Sequence, residues 1–195
     1  ERGDDAVGYA IYRTKHDAGT GATTVVVQEL IGDDAAAHAA LLRFLFDIDL
    51  TAAISFYRPQ PVDSPLVYLM TNVRAAEPRL HDSLYLRLVD IDRGLSSRTY
   101  AAPIDTVIEV VDDFCPWNAG RWRLVGDEKG ASCARTTAAA DLTIAARDLA
   151  AAFLGGVTLR ALASAGLVDE RRSGAVAEAS RAFASDIAPW LSIGF

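Results

Sequence analysis

The sequence predicts an α+β protein, and three observations predict it. Strand, strand, helix and strand patterns follow one another over residues 8–57, the order of a mixed sheet carrying a helix. Closely spaced strand patterns fill residues 106–135, and helical patterns follow them to residue 183. Of 195 residues, 51% are hydrophobic and 23% charged, enough apolar surface for packed cores and too much for a disordered chain.

Residues 8–14 alternate as a strand, the Gly/Thr-rich 17–23 form a loop, and the Val-rich 24–30 form a second strand. Two strands joined this way make an antiparallel hairpin with a loose tip. Gly32-Asp33-Asp34 supplies a helix start, with acids favoured by the helix dipole. Leu41, Leu42, Leu45 and Phe46 then recur at helical spacing over residues 35–47. Residues 53–57 read as another strand. Pro59, Pro61 and Pro65 break regularity, and residues 66–70 form a short helix or strand.

A second unit begins near Leu84. Residues 85–90 alternate as a strand, and 91–99 read as a short helix. Strands follow at 106–112, 121–125 and 131–135, separated by Asn118-Ala119-Gly120 and Asp127-Glu128-Lys129-Gly130 turns. Leu142-Thr143-Ile144 reads as a final strand. A helix over 147–154 stops at Gly155-Gly156, one over 158–165 stops at Gly166, and one over 173–183 starts behind Ser173 as its cap. The run Phe114-Cys115-Pro116-Trp117-Asn118 either lines a cavity or caps the sheet, the cap being the simpler reading.

A formal charge of −7 excludes a phosphate-tracking nucleic-acid binder and suits a cationic ligand. No apolar run approaches the ~20 residues of a membrane span, and the first residues carry no secretory pattern, so a cytoplasmic protein with no membrane partner is expected. Cys115 and Cys133 then read as reduced strand residues. His16, His38 and His81 lack metal-ligand spacing, and no nucleophile elbow or Walker loop is present. Gly19-Thr20-Gly21 is a hairpin tip with no helix behind it. The chain opens on Glu1 and runs at once into a strand pattern, as a piece of a longer polypeptide would.

The last residues, from Ile187 to Phe195, hold Trp190, Leu191, Ile193 and Phe195. Chain ends are usually polar and frayed, so such a tail asks to be docked. Docking would draw the terminal carboxylate with it. An α-carboxyl titrates near about 3.5 in water, and a water-poor site raises that value toward the range of a general base. The plain alternative is that the tail is the last piece of core.

Gly8-Tyr9-Ala10 with Tyr12, the Val-rich strand ending Glu29-Leu30, the helix and the next strand resemble the second half of a GNAT acetyltransferase domain. Active members hold the pyrophosphate of acetyl-CoA on a glycine-containing loop at that helix start. Here Ile31-Gly32-Asp33-Asp34-Ala35-Ala36 puts two carboxylates in that place, so the unit resembles a degenerate GNAT domain kept for structure. Together with Asp82 to Leu88, Asp141 onward, Leu154-Gly155-Gly156, residues 159–165 and 180–195, the order of segments resembles the Eis-type N-acetyltransferases.

The resemblance implies the later part of a central GNAT-like domain over 1–82 and a sterol-carrier-protein-like domain over 83–195. It implies an absent N-terminal catalytic GNAT domain, acetyl-CoA as co-substrate of the parent protein with no cofactor in this chain, and a cationic amine acceptor of aminoglycoside or lysine type. It also implies a homo-oligomer, hexameric in relatives. The terminal carboxylate of Phe195 would be the general base, and Asp82, with His81 beside it, would bind substrate; a solvated turn is the alternative for that pair. Gly194 departs from members with an acid there. A lipid carrier and a structural assembly module are the rival functions.

Overall fold

The structure, a computed structural model, describes residues 5–82 and 84–191. The chain divides into two compact units, the first holding, of the described residues, 5–82 together with Trp190 and Leu191, the second Leu84–Pro189.

In the first unit β1 (Gly8–His16) and β2 (Thr23–Gly32) form the antiparallel hairpin, with a register shift between Ile11 and Tyr12. Helix α1 (Ala35–Phe46) returns the chain so that β3 (Ala53–Phe56) joins β2 in parallel, giving the order β1-β2-β3. The apolar stripe predicted for the helix packs on this sheet: Leu45 meets Val25 and Val27, with Leu30, Ile48, Ile54 and Phe56 around them. At Gly32 a Cβ would stand 2.6 Å from the His38 amide nitrogen, so glycine lets the strand run directly against its own helix. The prolines then give way to one helical turn, α2 (Leu66–Leu69), and an unpredicted 3₁₀ turn, Val73–Ala76.

The second unit holds α3 (Ile91–Ser96) and a five-stranded sheet ordered β6-β5-β4-β7-β8. Its strands are β4 (Ile104–Val111), β5 (Gly120–Asp127), β6 (Gly130–Arg135), β7 (Leu142–Ala145) and β8 (Val168–Glu170). Only β4 and β7 pair in parallel. Helices α4 (Ala146–Ala152) and α5 (Leu159–Ser164) lie between β7 and β8 in the chain, and α6 (Ala175–Phe183) follows β8. The core is filled by large side chains, among them Tyr100, Phe183, Leu95, Ile108, Leu124 and Leu149, none more than 1% exposed.

Three readings of the sequence are corrected here. No strand forms over residues 85–90, although Leu86 and Leu88 face the core as the alternation requires. The carbonyls of Leu88 and Val89 are taken by side chains instead: Asn118 Nδ2 donates to both, and Trp117 Nε1 donates to Val89 at 2.9 Å. Those two carbonyls are thus engaged by side chains rather than by a neighbouring strand. Ser173 is not the cap of α6; Gly174 stands there in the left-handed region at φ +86°, and Glu170 of β8 accepts from the Val176 N–H at 3.0 Å. That carboxylate supplies the capping function from a strand three residues long, too short to show a period. Cys115 is not in a strand but opens the 3₁₀ turn Pro116–Asn118, whereas Cys133 does lie in β6.

Candidate functional site

A groove of about 880 Å³ opens in the first unit. It is lined by β3 and by the chain that follows, Tyr57 to Gln60. Leu66, Val67 and Met70 of the α2 region form one apolar wall. The stretch from Ala75 to Arg79 and His81 also line the groove. Apolar walls with Arg58, Glu77, Arg79 and His81 among them suit a ligand that is part polar and part apolar. Glu77 holds φ +44°, an uncommon conformation for a side chain of its size, where the 3₁₀ turn meets Pro78.

The tail reaches this groove. Trp190 Nε1 donates to the carbonyl of Pro59, a lining residue, at 2.8 Å. Of the residues predicted for the site, His81 lines the groove, Asp82 is its exposed neighbour in the chain, and Phe195 lies outside the described residues. The structure therefore places His81 in the groove's lining and bonds the tail's indole to another lining residue, Pro59. Sequence reasoning missed Arg58, Glu77 and Arg79, because an irregular proline-rich stretch gives no period to read.

At the start of α1 the anion position is filled from within. Asp34 caps the helix, its Oδ1 accepting the Ala37 N–H at 2.8 Å. One amide of the helix start that could meet a diphosphate is thus already bonded to a carboxylate.

In the second unit the residues with perturbed protonation are structural. Asp112, at the end of β4, is buried, which opposes its charge. Hydrogen bonds from the Cys115 N–H, Asn118, Arg87 and the Phe114 N–H outweigh that cost and hold its carboxyl below the usual range. The aromatic run thus caps the sheet: Asn118 and Cys115 are buried, while Phe114 and Trp117 stay exposed. Burial, with Asp92 adding repulsion, pushes the Cys133 thiol up to about 12. Arg98 is held down by burial, stacks over Tyr100, Phe153 and Phe183, and donates to the carbonyls of Phe153 and Phe183.

Comparison with known proteins identifies both units. Residues 91–192 match the sterol carrier protein domain family, and residues 1–88 match the acetyltransferase (GNAT) domain family. An uncharacterized N-acetyltransferase of Streptomyces coelicolor is 52% identical over 196 residues, covering 100% of this chain and 47% of the relative. The N-acetyltransferase Eis of Mycobacterium tuberculosis is 34% identical, over 92% of this chain and 43% of that protein. The crystal structure of Eis1 from Mycobacterium abscessus superposes with a TM-score of 0.80 at 33% identity, over 96% of this chain and 48% of that one.

The chain belongs to the sterol carrier protein domain family through residues 91–192 and is homologous to the Eis-type N-acetyltransferases.

This Eis homologue spans just under half the length of the relatives it matches. Its α+β class, with two mixed sheets, agrees with the structural match. Among the described residues of the chain, no helix is long and apolar enough to cross a membrane.

Proposed function

We propose that this chain is the C-terminal portion of an N-acetyltransferase that moves acetyl from acetyl-CoA to amines of aminoglycoside or lysine type. Residues 1–82 are the later part of a central GNAT-like domain and 83–195 a sterol-carrier-like domain. A catalytic GNAT domain elsewhere in the polypeptide binds the acetyl-CoA, since Asp34 repels a diphosphate from the start of α1. The chain alone is inactive. The mooring of Trp190 beside the groove that His81 lines carries this reading.

In the proposed reaction the substrate arrives as an ammonium, paired with Asp82 and with His81 beside it. The carboxylate of Phe195 takes one proton from it. The freed nitrogen lone pair attacks the thioester carbon, the C–S bond breaks as the nitrogen sheds a second proton, and CoA leaves as a thiolate that gains a proton from the catalytic domain, to which the nitrogen's second proton is returned. The reaction yields an amide, free CoA and a proton returned to water. The acceptor and the donor's domain are cytoplasmic partners, and the parent protein assembles as a homo-oligomer.

The test is thiol release from acetyl-CoA by the full-length protein, with an aminoglycoside and a lysine peptide as acceptors. Amine-dependent release by the full-length protein, and none by residues 1–195 alone, supports the proposal; no release with any amine contradicts it. A lipid carrier would need an open apolar tunnel where Tyr100, Phe183 and Leu149 now fill the second unit. Saturable micromolar binding of a fluorescent fatty acid by this chain would favour that function instead.

A further inference from the structure

We infer that Gly155 and Gly156 are the seat that fixes the course of the C-terminal segment, which makes them positioning residues for the group that segment delivers. This deepens the proposed function and rests on it for its catalytic consequence.

The segment leaves α6 at Phe183 and is held from that point. Arg98 donates to the carbonyls of Phe183 and Phe153 together, and the Ala101 N–H donates to Ala182 at 2.9 Å. The ends of α4 and α6 are therefore tied side by side, and the chain leaving α6 passes the glycine pair. A Cβ on Gly155 would stand 2.8 Å from the Phe183 carbonyl oxygen and from both N and Cβ of Ser185. One on Gly156 would stand 2.5 Å from Pro189 Cγ and 2.8 Å from its Cδ. Between these contacts, Ser185 Oγ donates to the Ile187 carbonyl at 2.8 Å and accepts from the Ile187 N–H at 3.3 Å, fixing a local turn. The next residue after Pro189 is Trp190, which is bonded to Pro59.

Helix termination explains only one of the two glycines. Gly155 has φ +82° and its N–H donates to Ala152, as expected of a residue that ends a helix. Gly156 is not among the residues with positive φ, so its backbone would admit alanine. What excludes a side chain there is the tail itself.

The decisive variant is Gly156→Ala in the full-length protein. Ordinary carbon–carbon contacts lie at about 3.5–4.0 Å, so the new methyl displaces Pro189 by about 1 Å. Hydrogen exchange should rise across residues 184–191 while β4 keeps its protection. A displacement of that size costs about a hundredfold in kcat, with KM little changed. Adding Pro189→Ala removes the two ring atoms in the way, and the double variant should regain both tail protection and kcat. Unchanged exchange in Gly156→Ala, or a double variant as loose as the single one, overturns the seat. A tail that loosens and is restored while kcat never moves leaves the seat standing and removes the terminal acid from the reaction.

Discussion

Trp190 Nε1 donates to the carbonyl of Pro59 at 2.8 Å across 131 residues of sequence, and this bond joins the tail to the groove. The indole remains 47% exposed, so its burial adds less than that of a core aromatic and the hydrogen bond decides the geometry. A bond of this kind is worth about 1 kcal/mol net. Trp190→Phe keeps most of the ring and loses the donor. Acetylation by the full-length protein should therefore fall about fivefold in kcat, and Trp190→Ala should fall further. Equal turnover in all three proteins would mean that the anchor has no part in the reaction.

Asp112 is the polar keystone of the second unit. Its carboxylate accepts from Arg87 at 2.5 Å, from the N–H groups of Phe114 and Cys115, and from Asn118 Nδ2. Asp112→Ala strands these donors and should cost about 3 kcal/mol in denaturant unfolding. Because the folded carboxyl sits below the unfolded value of about 3.9, its stabilisation is complete above that pH and is lost as pH falls through the folded value. A melting series from pH 6 to pH 3 should show that acid-side decline, and Asp112→Asn should flatten it.

Thr106 is wholly buried in β4, and its Oγ1 has no hydrogen-bond partner among the described residues. Replacing the hydroxyl with a methyl keeps the shape and removes an unmet polar group. Thr106→Val should stabilise the protein by about 1 kcal/mol, read as a higher denaturant midpoint at unchanged m-value.

The Cys133 thiol, pushed up to about 12, is almost wholly protonated at pH 8. Alkylation by iodoacetamide should run about three orders of magnitude slower in the folded protein than in the unfolded chain. A folded protein labelled at Cys133 as fast as the denatured one would contradict the burial assigned to β6.

The sequence disclosed those elements whose periods are long enough to read. The hairpin of β1 and β2, the Leu41–Leu45 stripe on α1 and the β4 to β6 meander are regular over enough residues for their pattern to exceed chance. The strand expected at 85–90 failed because Trp117 and Asn118 compete for its carbonyls, a tertiary effect that alternation does not encode. β8 and the cap of α6 form one device, Glu170 reaching the Val176 N–H, which spacing alone hides. At the groove, His81 was legible only through family resemblance. Arg58 and Arg79 were not, because a proline-rich loop brings them together without any periodic signal.

Lengthening the chain by one glycine after Phe195 in the full-length protein, with kcat for amine acetylation followed against pH, tests whether the terminal carboxylate is the base. A terminal base predicts a fall of about 10²-fold or more and loss of the limb that reports it, with acetyl-CoA binding retained. Turnover and pH profile equal to those of the parent protein would contradict it.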